Sequence, residues 1–145
     1  MTLFLLHAFA TLAMTGILWL VQLVQYPLFL GLERTTFQRW HGLHSARITY
    51  VVGPLMLLEL ATAALALFPG RGGGFPAPLF FLATTLAIFA WTAFVSVPLH
   101  DRLQAKGFDE PVIRRLIRTN WARTLLYSAK TLAIVALCCR AGSSP

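Results

Sequence analysis

The chain has 145 residues, 57% of them hydrophobic and 12% charged, with a mean hydropathy of +0.70. Soluble domains carry about 25% charged residues, so this composition excludes an ordinary soluble domain. The net charge of +7 would point to nucleic acid in a soluble protein. Here the basic residues gather in short links between long apolar runs, which makes the lipid bilayer the expected partner and removes the nucleic-acid reading.

A helix needs about 20 predominantly apolar residues to cross a bilayer. Four runs qualify, residues 3–30, 48–68, 78–99 and 121–139. They are continuous and rich in Leu, Ala and Phe, whereas the strands of a membrane barrel alternate with period two. The expected fold is all-α, an integral membrane four-helix bundle in a single domain. No Lys or Arg precedes Arg34, and the first apolar run is longer than that of a cleaved signal peptide. It is read as a retained span.

The first span carries His7, Thr11, Thr15, Gln22 and Gln25, at spacings of 4, 4, 7 and 3. These steps keep all five on one helical stripe. The link that follows holds Arg34 and Arg39. Thr35 or Thr36 suits a helix cap, and Phe37, Trp40 and His44 follow at helical spacing. "WHGLHSARITYVV", residues 40–52, places His41, His44 and Arg47 one turn apart just before the second span. Two imidazoles one turn apart can hold a metal or a haem edge if other ligands converge. His100, at the same end of the third span, is the third candidate. The HExxH spacing of a strong metal motif is absent, so hydrogen bonding at the membrane mouth is the alternative. The cofactor, if any, is left open.

The second span contains Glu59, twelve residues beyond Arg47 and so about 18 Å deeper at helical rise. The "PGRGGGFPAP" stretch, residues 69–78, cannot continue a helix. The third span carries Thr85, Thr92 and Ser96, then Pro98 and His100. Its link is strongly basic, with Arg102, Lys106, Arg114, Arg115 and Arg118. Asp109, Glu110 and Pro111 suit the start of a helix. Val112, Leu116 and Thr119 share a face apart from Arg114 and Arg118. Both links are expected to form amphipathic helices along the interface before turning into the membrane. The fourth span carries Asn120, Arg123, Tyr127, Lys130 and Thr131 on one side.

Four polar stripes are satisfied together only if they face one another, which predicts a polar interior and an apolar lipid-facing surface. Glu59 and Lys130 are expected to pair there, either as a structural lock or as a proton-handling or substrate-anchoring group. Arg47 and Arg123 hold matched places and could anchor topology or clamp an anionic group. Cys138 and Cys139 are adjacent and lack metal or redox spacing, so they read as plain thiols. The basic residues crowd the first and third connections, while the second holds Arg71 and the tail Arg140. The positive-inside rule puts connections one and three in the cytoplasm and both termini outside.

The two halves, residues 1–68 and 78–140, have a common layout. Trp19 and Pro27 correspond to Trp91 and Pro98, and His44, Ala46 and Arg47 to Asn120, Ala122 and Arg123. The expectation is a parallel duplication of one hairpin; the alternative is likeness imposed by the same membrane constraints.

A Pro-ended first span, then "HGLHSARI", and "TNWART" in the second half resemble the small four-span bacterial membrane proteins grouped around the anthrone-oxygenase-like domain. The resemblance covers most of the chain in layout. It implies a multi-pass protein of a bacterial inner membrane. Some fungal relatives of that grouping oxygenate polycyclic aromatic anthrones without an evident bound cofactor. The resemblance would carry a role onto His44, Arg47, Asn120, Trp121 and Arg123.

Two function classes follow. One is a small membrane oxidoreductase or oxygenase acting on an apolar aromatic or quinone-like molecule. Its pocket would use Trp91, Trp121, Tyr127 and the histidines, and its candidate catalytic groups are His44, Arg47, Glu59, Asn120, Arg123, Tyr127 and Lys130. The other is a non-enzymatic carrier, lipid-binding module or assembly subunit built on the Glu59–Lys130 pair. Four short spans leave little room for a path, so a carrier would be a homo-oligomer. Nothing resembles a phosphate loop, a nucleophilic triad or a nucleic-acid reader.

Overall fold

The computed structural model describes residues 1–70 and 75–142, with side chains to Arg140. Residues 71–74 of the "PGRGGGFPAP" break lie outside the described residues, as do the last three. Four long helices account for nearly all the rest: α1 (Thr2–Gly31), α2 (Phe37–Leu65), α3 (Pro78–Lys106) and α4 (Glu110–Gly142). Each is long and apolar enough to cross a membrane, and the described residues contain no strand. The expected all-α four-helix membrane bundle is the fold.

Helix α1 packs against α2 and α4, and α3 packs against the same two. The helices therefore form a ring in chain order, with α1 opposite α3 and α2 opposite α4. Short links between neighbours make each adjacent pair antiparallel. Large apolar side chains such as Leu5, Phe9, Leu57, Phe94 and Leu132 cover the outside, while His7, Gln22, His41, Glu59, Asn120 and Lys130 are buried. This is the arrangement that hydrocarbon as solvent favours, polar groups facing one another and aliphatic ones facing lipid.

The polar links differ from expectation. They are not separate helices on the interface. Residues from Phe37 onward are continuous with α2, and residues from Glu110 onward with α4. The reason is packing. Phe37, Val112, Ile113 and Leu116 join Phe29, Leu99 and Leu103 in a buried apolar cluster between the helices, so these faces are covered by protein. Helix α2 has 29 residues, about 43 Å at helical rise, against about 30 Å of hydrocarbon. The basic turns stand beyond the bilayer as an extension of the bundle. Asp109 starts α4 by accepting from the Val112 backbone N–H at 3.2 Å. Gly107, at φ 81°, ends α3 in the left-handed region that glycine adopts freely. Thr36 sits at the start of α2 but its hydroxyl does not cap the helix; it donates to the Glu33 carbonyl at 3.3 Å.

Helices α1 and α3 each contain one π turn, Val21–Gln25 and Thr92–Ser96. In each, a backbone N–H reaches the carbonyl five residues back: Tyr26 to Val21, and Val97 to Thr92. The next residue is proline in both cases, Pro27 and Pro98. Proline has no N–H and crowds the carbonyl four residues earlier. The wider π turn spaces that carbonyl away, and the helix continues. The same device thus occupies the same place in both hairpins.

Candidate functional site

The interior contains two polar layers, and each draws on all four helices. The deeper one centres on Glu59. Its carboxylate meets the Lys130 ammonium at 2.9 Å, with both side chains fully buried. Tyr127 donates its hydroxyl to Glu59 Oε2 at 2.6 Å, Thr11 donates to Oε1, and Lys130 also donates to Thr85 Oγ1 at 2.9 Å. The pair spans the diagonal of the ring, from α2 to α4, with α1 and α3 each contributing a threonine. His7 stands beside it, its Nδ1 3.0 Å from Thr62 Oγ1 and 3.2 Å from the Glu59 carbonyl. The expected ion pair is present, and its donors and acceptors are matched. Neither Glu59 nor Lys130 lines any of four cavities found among the described residues.

An apolar layer of Met14, Leu18, Met56 and Ile88 separates this cluster from the second. The second layer lies at the basic end. His41 Nε2 and His100 Nδ1 are 3.0 Å apart, His100 Nε2 is 3.0 Å from the Tyr26 hydroxyl, and His41 Nδ1 is 3.1 Å from Gln104 Oε1. These contacts form one chain, Tyr26–His100–His41–Gln104. With Gln104 Oε1 as acceptor, each ring donates through Nδ1 and accepts through Nε2, so every member points its proton the same way. Phe37 stacks on His41 with centroids 5.4 Å apart, and Phe29 closes on the same ring edge-on. Gly42 leaves room for the last member: a Cβ there would lie 3.1 Å from Gln104 Oε1.

Beside this chain lies a cavity of about 240 Å³. Its polar wall is Tyr26, His44, Ser96, His100 and Arg123, and its apolar wall includes Leu18, Val52 and Met56. Thr49 and Val97 also line it and are exposed, so it opens sideways between α2 and α3. The two π turns set its geometry. Ser96 ends the turn of α3, and Tyr26 follows that of α1, each brought inward ahead of its proline. Arg123 is only 6% exposed, and its Nη1 donates to Ser96 Oγ at 3.4 Å. A larger groove of about 580 Å³ runs outside, between α1 and α2, lined by Gln25, Trp40, His44 and Arg47. His44 borders both spaces.

The sequence-derived candidates therefore separate. Glu59, Tyr127 and Lys130 belong to the deep cluster. His41 and His100 belong to the hydrogen-bonded chain, while His44 and Arg123 wall the cavity. Asn120 is buried and donates to Gln22 Oε1 at 2.9 Å, tying α4 to α1. Arg47 is exposed and lines the outer groove. It does not share a site with Arg123, so the two arginines are not one clamp. Trp121 is not in the interior either. It packs edge-on against Trp19 at 5.6 Å on the outer surface. Trp91 is exposed beside a small recess that Arg123 also reaches. Among the described residues no three His, Cys, Asp or Glu side chains converge to hold a metal ion; His41 and His100 turn their facing nitrogens on each other. Cys138 and Cys139 are exposed free thiols.

Tyr26 and Gln104 are site residues that sequence reading passed over. Each lies four residues beyond a residue already on a polar stripe, Gln22 and His100, so one further turn of the same arithmetic reaches them. Comparison with family models, curated proteins and solved structures gives no match to this chain.

Proposed function

We propose that this chain is a small membrane oxidoreductase or oxygenase that takes an apolar aromatic or quinone-like molecule from the bilayer into the cavity beside Arg123 and exchanges a proton with it. The observation that carries this reading is the continuous donor–acceptor chain from the cavity wall at Tyr26 and His100 to Gln104 at the basic end. A redox reaction on a phenol, a quinol or a ring carbon next to a carbonyl needs a proton taken up or released at the reacting atom. When Tyr26 gives its proton to His100 and takes another from the cavity, His100 gives one to His41, and the His41 Nδ1 proton leaves to water beside the exposed Gln104, whose amide then turns to donate in its place; one proton has moved from the cavity to the basic end. The two imidazoles suit this task, since a neutral imidazole carries one donor and one acceptor nitrogen. The likeness of "HGLHSARI" and "TNWART" to anthrone-oxygenase-like proteins supports the same substrate class. On this reading His100 and Tyr26 exchange the proton and His44 and Arg123 contact the substrate. Asn120 fixes α4 against α1, and Glu59, Tyr127 and Lys130 hold the helices in register. The carrier alternative has less support, because Glu59 and Lys130 are mutually satisfied and border none of the four cavities described above.

The test uses the full chain in zwitterionic nanodiscs with anthrone and with a reduced naphthoquinone, following oxygen uptake and oxidised product. Saturable turnover is expected, lost in His100→Ala and reduced in Tyr26→Phe. Saturable binding without turnover would make the chain a binding protein. Absence of both, in protein that unfolds cooperatively, would overturn the proposal.

A further inference from the structure

We infer that the molecule held in this cavity is a monoanion, an apolar ring or short chain bearing one carboxylate, enolate or phenolate oxygen that pairs with Arg123. This rests on the cavity reading above and adds to it the charge of the ligand.

The argument is an accounting of countercharges. The chain contains five Asp and Glu residues. Glu59 is bound to Lys130, Asp109 to Arg102 and Glu110 to Arg114. Glu33 and Asp101, the other two, are exposed at the basic end. No carboxylate among the described residues pairs with Arg123. Arg123 as a residue is only 6% exposed. Its neighbours are the neutral Ser96 and Tyr26 hydroxyls, and its Nε has no hydrogen-bond partner at all. A buried charge is costly unless it is both paired and hydrogen-bonded. Lys130 shows the chain meeting that requirement seven residues further along the same helix. At Arg123 the missing partner is a negative oxygen, and of the two spaces it reaches the cavity of about 240 Å³ is roomier than the recess of about 100 Å³ beside Trp91.

The rest of the wall limits what brings that oxygen. Among the described residues Arg123 is the only Lys or Arg lining it. One cation and no anion suits a single negative charge and leaves a phosphate dianion half unmatched. Leu18, Val21, Ile48, Val52 and Met56 surround an apolar body. The side opening faces the lipid between α2 and α3, so such a body arrives from the bilayer. Both a free ring acid and a lipid-derived fatty acid have this chemistry.

Binding to the full chain in zwitterionic nanodiscs is measured by calorimetry with 2-naphthoate, with the isosteric 2-naphthamide, and with decanoate as competitor. Naphthoate is expected to bind about tenfold or more tighter than the amide, the equivalent of one charge-assisted contact. Arg123→Gln should erase the preference, and Arg123→Lys should retain part of it. Gly53 lines the cavity, and a Cβ there would meet no protein atom within 4 Å. Gly53→Phe should therefore block both probes. Displacement of naphthoate by decanoate assigns the anion to a lipid-derived acid; no displacement assigns it to a ring acid. Equal binding of naphthoate and naphthamide overturns the monoanion inference while leaving the cavity reading in place. Binding of neither overturns both, and naphthoate binding untouched by Gly53→Phe puts the anion elsewhere and overturns the inference. If Arg123→Gln does not fold, the probe ratio in wild type and in Arg123→Lys decides.

Discussion

Glu59 and Lys130 put the strictest demand on the interior. Each is surrounded by donors and acceptors chosen for the other's presence: Tyr127 and Thr11 donate to the carboxylate, and Thr85 accepts from the ammonium. Removing one partner leaves the other charge buried with only neutral neighbours. Lys130→Met and Glu59→Gln are each expected to lose about 3–5 kcal/mol, the usual result of breaking a buried pair. The double variant should lose clearly less than the two single losses summed, because neither charge is then stranded. Unfolding of the single and double variants in one detergent, read as a double-mutant cycle, checks this. Additive losses would mean that the two side chains are not energetically coupled. Arg123 is the contrasting residue, buried without a carboxylate among the described residues.

The element scale belongs to the π turns and to the α1–α4 seam. Along that seam Thr15 meets Thr131 at 2.8 Å, Trp19 donates to Ser128 at 3.1 Å, and Gln22 bridges Asn120 and the Ile117 carbonyl. Interhelical hydrogen bonds of this kind are each worth about 0.6–2 kcal/mol in a membrane. Asn120→Leu should lose about that amount, seen as a lower unfolding midpoint, with the His41–His100 contact intact. The π turns have a geometric consequence. Each adds one residue to a helix and so sets the phase of everything after it. Deleting Ala93, inside the turn of α3, together with Pro98→Ala should give an unbroken α-helix with His100 still facing His41. Inserting one alanine after Ser96 should rotate His100 by about 100° and reduce naphthoquinol turnover by about tenfold or more. Equal activity in both variants would mean that the phase of α3 does not position the relay. Apart from Gln25, which ends the π turn of α1 and lines the outer groove, the polar stripes were legible in the sequence, because spacings of three, four and seven select one face of a regular helix. The Glu59–Lys130 contact was legible for a related reason, since hydrocarbon leaves two deep charges little else to meet. Pro27 and Pro98 announced an irregularity but not its kind: a kink, a break and a π turn all answer a missing N–H. The turn chosen depends on which carbonyls packing leaves free. Trp91, Trp121 and Arg47 were misplaced because periodicity gives a residue's face on its helix, whereas the direction of that face in the bundle depends on how the helices rotate. Tyr26 escaped notice as an aromatic among aromatics, without a charge to mark it.

At the scale of the whole molecule the two ends are chemically unlike. The basic end displays Arg34, Arg39, Arg102, Lys106, Arg114, Arg115 and Arg118, while the second link and tail contribute Arg71 and Arg140. The positive-inside rule orients a helical bundle by this asymmetry, and an orientation set by it would put Gln104, the exposed end of the proposed relay, on the cytoplasmic side. Proton exchange with the cavity would then draw on the cytoplasm, while the Glu59–Lys130 cluster closes the bundle toward the opposite face. The exposed thiols of Cys138 and Cys139, near the end of α4, report this orientation without any added label. In intact spheroplasts a membrane-impermeant maleimide should modify wild-type protein. A variant with both cysteines replaced by serine and Arg39→Cys added should react only after the membrane is opened. Anionic lipid should favour this orientation, because the basic turns stand beyond the hydrocarbon and meet the headgroups directly. The reverse labelling pattern would put the basic end outside. The relay would then exchange protons with the exterior, so one topology measurement fixes the side from which the reaction draws its protons.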